Sequence, residues 1–215
     1  GDKGLVREVV DARGQTTRYQ HDSHGNVIVV DGPDGQKRYE YDFWGRRLRE
    51  YLPGGRTFAF GHSAGGKLVS ITDPMGRTRH TQYDALGDIV AITTPDGATT
   101  RFEYGGYRFL TATIHPSGET QRRFYNREGW EVERLDPRGN RWTFEHDSNG
   151  QVIKETRFGG DVVEHGYDPM SLPIWAKTPL GRVEVERNAV GQIVKRSAAD
   201  GSVTELDYDS RGDLI

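Results

Sequence analysis

The residues able to do chemistry in this sequence are seven histidines and 32 carboxylates, and cysteine is absent. Without cysteine there are no disulfides, thiolate metal sites or cysteine nucleophiles. A zinc site would need three or four converging ligands. His21 and His24 lie three residues apart across an expected turn, with no third ligand nearby. His21, His62 and His146 recur at or beside positions that are tyrosine elsewhere, and His165 stands two residues before Tyr167. Replacement of one ring by another explains them better than ligation. Carboxylates on neighbouring strands could pair for acid–base work, but Asp22, Asp42, Asp84, Asp147, Asp168 and Asp209 return at a regular interval, the mark of turn residues. There is no Gly-x-Ser-x-Gly elbow, phosphate loop or His-Glu-x-x-His motif. The expectation is a protein with no enzymatic site, no metal and no cofactor.

The elements that carry these residues are set by a repeat. One glycine series runs Gly25, Gly45, Gly66, Gly87, Gly129, Gly150, Gly191, Gly212, with Tyr107 and Ser171 read as occupants of two missing slots. A second runs Gly14, Gly35, Gly55, Gly76, Gly97, Gly118, Gly139, Gly160, Gly181, Gly201. The two interleave at 10 or 11 residues, the spacing of short strands joined by tight turns. Ahead of the first series stand Tyr41-Asp42, Tyr83-Asp84, Tyr125-Asn126, His146-Asp147, Tyr167-Asp168 and Tyr208-Asp209. Rings two residues earlier, as in Tyr39/Tyr41 and Trp142/Phe144/His146, put an aromatic stripe on one strand face, with Arg38, Glu40, Thr143 and Glu145 on the other. The second turn is usually Pro-x-Gly, where proline presets a negative φ and glycine accepts a positive one. Three residues beyond each first-series slot stands a branched aliphatic, from Ile28 and Leu48 to Val194 and Ile215, Leu110 included; these are expected to hold the sheet together.

The fold expected is all-β: about ten tandem hairpins of ~21 residues in a curled single-layer antiparallel sheet, part of a β-shell or spiral. A single layer also accounts for the composition. Only 33% of the 215 residues are hydrophobic, Leu, Ile, Val and Phe make up about 21%, and 28 are glycine. The net charge of −3 is too small to favour disorder and gives no footprint for nucleic acid. No run approaches a membrane span. No linker or shift of composition divides the chain, so residues 1–215 are read as one array, cut mid-unit from a longer polypeptide.

The unit seen in Tyr39-Glu-Tyr-Asp-Phe-Trp-Gly45, Gln82-Tyr-Asp-Ala-Leu-Gly-Asp-Ile89, Tyr167-Asp-Pro-Met-Ser171 and Leu206-Asp-Tyr-Asp-Ser-Arg-Gly212 resembles the YD repeat of Rhs proteins, over essentially the whole chain. The resemblance implies a bacterial shell, secreted or delivered outside the cell, that winds around a toxic C-terminal domain, as in insecticidal toxin-complex components. Teneurins use similar repeats as an adhesion scaffold. The partners it implies are the remaining repeats, an enclosed toxin domain and a secretion apparatus. Rhs shells also carry a self-cleaving core that includes Asp-Pro-x-Gly. Asp73-Pro74-Met75-Gly76 and Asp136-Pro137-Arg138-Gly139 match that string, but both fall at the regular second turn and are read as turns. The absence of an Asn-x-Ser/Thr sequon favours a bacterial protein over a glycosylated animal one. The rival reading is an adhesion or carbohydrate-binding module using the stripe, with Trp142 as the ring most suited to weak sugar contact.

Overall fold

The computed structural model describes residues 4–215, and they form β-strands with one short 3-10 turn at Gly106–Arg108. The chain divides into two compact units, residues 1–102 and 103–215.

In the first unit the strands are β1 (Glu8–Val10), β2 (Thr16–His21), β3 (Val27–Gly32), β4 (Gly35–Tyr41) and β5 (Arg47–Tyr51). They continue as β6 (Thr57–His62), β7 (Leu68–Thr72), β8 (Thr78–Tyr83), β9 (Ile89–Thr93) and β10 (Thr99–Tyr104), whose last two residues belong to the second unit. Each pairs antiparallel with the next, so the unit is a plain meander. The second unit holds β11 (Leu110–Ile114), β12 (Thr120–Tyr125), β13 (Glu131–Leu135), β14 (Arg141–His146) and β15 (Val152–Thr156). It ends with β16 (Val162–Tyr167), β17 (Pro173–Thr178), β18 (Gly181–Arg187), β19 (Ile193–Ser197) and β20 (Val203–Glu205), again paired in sequence order.

Period-two burial follows the sequence alternation. In β4, Tyr39 and Tyr41 are half-buried and Arg38 and Glu40 exposed; in β18, Val183, Val185 and Arg187 are half-buried and Arg182, Glu184 and Glu186 exposed. Neither unit has a conventional core. Among the described residues only Ala91, Ala112 and Val163 are buried, and no large side chain is fully enclosed. The chain exposes 14781 Å², against roughly 10,000 Å² for a globular protein of its mass. Stability therefore rests on strand pairing and on half-buried contacts between neighbouring hairpins, as in other repeat arrays.

The branched aliphatics have a different place from the one expected. In β2–β3, Gln20 faces Val29 and His21 faces Val27, which leaves Ile28 opposite nothing. The same step leaves Leu48, Val69 and Val90 unpaired in the first unit. In the second it isolates Val132, Ile153, Ile174 and Val194. The most regular apolar position of the repeat is thus the extra residue of a β-bulge. It bends the strand and tightens its twist locally, and Leu48 and Ile153 are exposed rather than packed.

Candidate functional site

Each regular turn after the aromatic stripe is built around its Asp or Asn, apart from the turn closed by Gly66, where Ser63 Oγ accepts Lys67 N–H at 3.1 Å. Asp147 N–H donates to Gln151 O at 3.0 Å and Gly150 N–H to Asp147 O at 3.2 Å, a three-residue loop closed by a glycine with positive φ. The Asp147 carboxylate then accepts the N–H groups of Asn149 (2.8 Å) and Gln151 (2.9 Å). Asp42, Asp84, Asp168 and Asp209 accept the corresponding pairs, and the Asn126 side chain accepts Trp130 N–H at 2.9 Å. Gly45, Gly87, Gly129, Gly150 and Gly212 all occupy the left-handed region, and Ser171 takes the same slot with φ +65°. The N–H groups of Asp213 and then Arg211 hold the Asp209 carboxyl below its ordinary range. At Asp42 burial pushes upward, but Arg46 through its N–H and guanidinium, helped by Trp44 N–H, outweighs it. These carboxylates are turn acceptors facing amides.

Asp73 and Asp136 do the same in the second turn series. Asp73 accepts Met75 N–H at 2.9 Å, Arg77 N–H at 3.0 Å and the Arg77 guanidinium, and that side-chain bond leads in holding its carboxyl low. Asp136 accepts Arg138 and Asn140 N–H at 2.9 and 2.8 Å and the Asn140 amide at 2.7 Å. Among the described residues no group of three or more His, Asp or Glu side chains is placed to share a metal ion.

The motif tyrosines are not equivalent to the histidines that alternate with them. Tyr41 Oη donates to Val27 O at 2.9 Å and Tyr83 to Leu68 O at 3.0 Å in the first unit. In the second, Tyr125 reaches Leu110 O, Tyr167 reaches Val152 O and Tyr208 reaches Ile193 O, at 3.0, 2.9 and 2.9 Å. Each bond ties one hairpin to the strand that closes the hairpin before it. Arg187 occupies an intervening slot and does the same work, its guanidinium donating to Pro173 O at 2.6 Å. The other intervening slots hold His21, His62, Tyr104 and His146. His146 lies against Trp130, the rings tilted by 37° with centroids 5.5 Å apart. The tyrosine ties recur about every 42 residues, at alternate hairpins, and Arg187 supplies one between Tyr167 and Tyr208.

Sequence reasoning missed the residue that follows the glycine slot, which reaches the next turn's glycine in most repeats but not at Gly191. It leans over the glycine of the next turn: Arg46 over Gly66 and Lys67 over Gly87, Phe109 over Gly129 and Trp130 over Gly150. Phe109 stacks on Tyr125 at 4.9 Å, and Lys67 Nζ lies 5.0 Å from the centre of the Tyr83 ring. A ladder of side chains thus runs down the turn edge of each unit. Its signal was the +1 spacing of Phe109 and Trp130 from the glycine slot.

One turn breaks the rule. Gly105 N–H donates to Phe109 O and Arg108 N–H to Gly105 O, so Arg108, not Tyr107, holds the missing glycine slot. Leu110 therefore sits two residues past the slot rather than three. Tyr107 and Arg108 both have positive φ, +57° and +64°, a conformation that costs about 1–2 kcal/mol per non-glycine residue. The capping Asp is also absent. A Cβ at Gly105 would lie 2.8 Å from Thr111 Cγ2, so an aspartate there meets a steric barrier.

The two faces differ in chemistry. The exposed face carries cross-strand ion pairs: Glu40–Arg49 in the first unit, and Glu133–Arg141, Glu145–Lys154, Glu164–Lys177 and Glu186–Lys195 in the second. Solvated pairs of this kind contribute little individually. The other face carries the stripe rings, with Arg47 over Tyr39 at 4.5 Å and Arg134 over Phe144 at 5.4 Å. Trp142 lies on this face in β14, its ring 6.4 Å from that of Phe158.

Tandem hairpins with aromatic-Asp-x-x-Gly turns, paired in order and lacking an enclosed core, define a repeat-built β-wall. The chain belongs to the teneurin YD-shell family, which it matches over residues 1–174. Among solved structures, TcdB2-TccC3 without its hypervariable C-terminal region is 15% identical and aligns with a TM-score of 0.63 over 97% of this chain and 16% of that one. The Photorhabdus luminescens Tc holotoxin pore with a TccC3 mutation is 12% identical, with a TM-score of 0.51 over 97% of this chain and 17% of that one. At such identities the likeness is one of fold, and this chain spans about a sixth of the chains it resembles. No curated protein matches it. No helix among the described residues is long and apolar enough to cross a membrane. The family is a structural, shell-building one.

Proposed function

We propose that this chain is one uninterrupted array in the wall of a longer bacterial YD-repeat shell, released from the cell, that encloses a toxic C-terminal domain until delivery. Its action is mechanical, not catalytic. The observation that carries the reading is the unbroken order of strand pairing within each unit, together with the lack of any large enclosed side chain. Such a sheet has little interior of its own and is suited to bounding the interior of something larger. The family match and the fold shared with TcdB2-TccC3 support the same role. The repeat residues Tyr41, Tyr83, Tyr125, Tyr167 and Tyr208 serve as ties between hairpins, and the turn aspartates hold the edge.

The test is limited proteolysis of the full-length parent protein. The domain downstream of the repeats is expected to resist cleavage in the intact protein. It should become sensitive when Gly166→Trp breaks the wall, since even a Cβ at Gly166 collides with the Trp175 ring. Equal cleavage of that domain in both proteins would contradict enclosure. Asp73→Asn and Asp136→Asn are expected to leave any self-processing of the parent intact, because both carboxylates are committed to turn amides.

A further inference from the structure

The irregular turn of the second unit holds more than a misfit. Tyr107, at its tip, is 90% exposed and stands beside Phe109, ring centroids 6.3 Å apart at 51°. Phe109 is fixed in turn by stacking on Tyr125. These rings, with Thr111, Phe124 and the next turn's Asn126 and Arg127, line a groove of about 590 Å³, within the size range of small-molecule sites. The residues flanking the aromatic floor retain unused hydrogen-bonding capacity. The Tyr107 hydroxyl and Asn126 Nδ2 make no hydrogen bond among the described residues, and the Arg127 guanidinium makes no ion pair there. Glu128, its neighbour in sequence, neither pairs with it nor lines the groove. Glycine at 107 and 108 would make the same turn without strain, yet two bulky residues stand in left-handed conformation. Strain of this kind persists where a side chain is needed in place.

We propose that this groove binds a pyranose bearing a carboxylate, a hexuronate. The apolar face of the sugar ring would lie on Tyr107 and Phe109, its hydroxyls would bond the Tyr107 hydroxyl and the Asn126 amide, and its carboxylate would pair with Arg127. Aromatic faces accept the C–H face of a pyranose, and a planar guanidinium suits a carboxylate as a two-point partner. This inference stands on the groove alone and does not depend on enclosure of a toxin.

The test is calorimetric titration of residues 1–215 with D-glucuronate and D-galacturonate, and with D-glucose and D-galactose as neutral counterparts. At least one uronate is expected to bind saturably, with Kd on the order of millimolar, and at least about fivefold more tightly than its neutral counterpart. Tyr107→Gly should raise the melting temperature by relieving the turn and weaken uronate binding about tenfold or more. That pairing separates loss of a binding ring from loss of fold. Arg127→Gln should abolish the preference for the acidic sugar. The proposal is overturned if neither uronate saturates, if neutral sugars bind equally well, or if Tyr107→Gly leaves binding unchanged.

Discussion

Two turns of the second unit share their closing backbone bonds but not their backbone path. Asp147–Gln151 has its carboxylate over two amides, glycine in the left-handed slot and Trp130 laid across that glycine. Gly105–Phe109 makes the same two backbone bonds, at 2.9 and 3.2 Å, with no carboxylate and with arginine in the slot. The closing bonds therefore survive loss of the carboxylate and the glycine, while the path between them changes, with Tyr107 joining Arg108 in the left-handed region. Pairing of the flanking strands carries the chain through it, and the side chains decide how stable the passage is. A wall of this kind tolerates irregular units because each repeat is supported by its neighbours.

The largest expected effect falls on the regular turn. Gly150→Ala should lower unfolding stability by about 2–3 kcal/mol, measured by urea denaturation, because it adds left-handed strain and sets a Cβ 2.8 Å from Trp130 Nε1. Asp147→Ala, which strips two amides of their acceptor, should cost about 1–2 kcal/mol, with Asp147→Asn recovering most of it. Tyr167→Phe, which removes the tie to Val152 O, should cost about 1 kcal/mol in the same assay. Acid gives the smallest effect. Asp42, Asp73, Asp136 and Asp209 are held below the ordinary 3.8, so their contribution is present above that value and disappears as pH falls through their lower folded values. Melting curves from pH 6 to 3 should show a fall confined to the acid end, smaller in Asp73→Asn.

Much of this was legible in the sequence. Glycine metre, Pro-x-Gly turns and two-residue ring spacing dictate the hairpins, because turn φ and strand alternation are local properties. What was not legible depends on contact between hairpins. The bulge at Ile28 and its equivalents reads as a position that holds the sheet together because branched aliphatics usually signal burial, whereas there they fit a twisted, unpaired residue. The slot at 105–109 was misplaced by one residue because Leu110 preserved the aliphatic spacing from Tyr107; only the bond from Arg108 N–H fixes the frame. Trp130 lay outside the stripe pattern because its partner, Gly150, is one repeat away. The doubled period was present in the tyrosine spacing, but its meaning lies in the carbonyls those hydroxyls reach.

The central claim is that positions 108 and 150 are the same left-handed slot of the repeat, one filled by arginine and the other by glycine. Reciprocal replacement tests it most directly, by urea unfolding of Arg108→Gly and Gly150→Arg. The first should stabilise the protein by about 1 kcal/mol and the second destabilise it by more than that. Destabilisation by both would show that the turn at 105–109 is a separate structure and not a strained copy of the repeat.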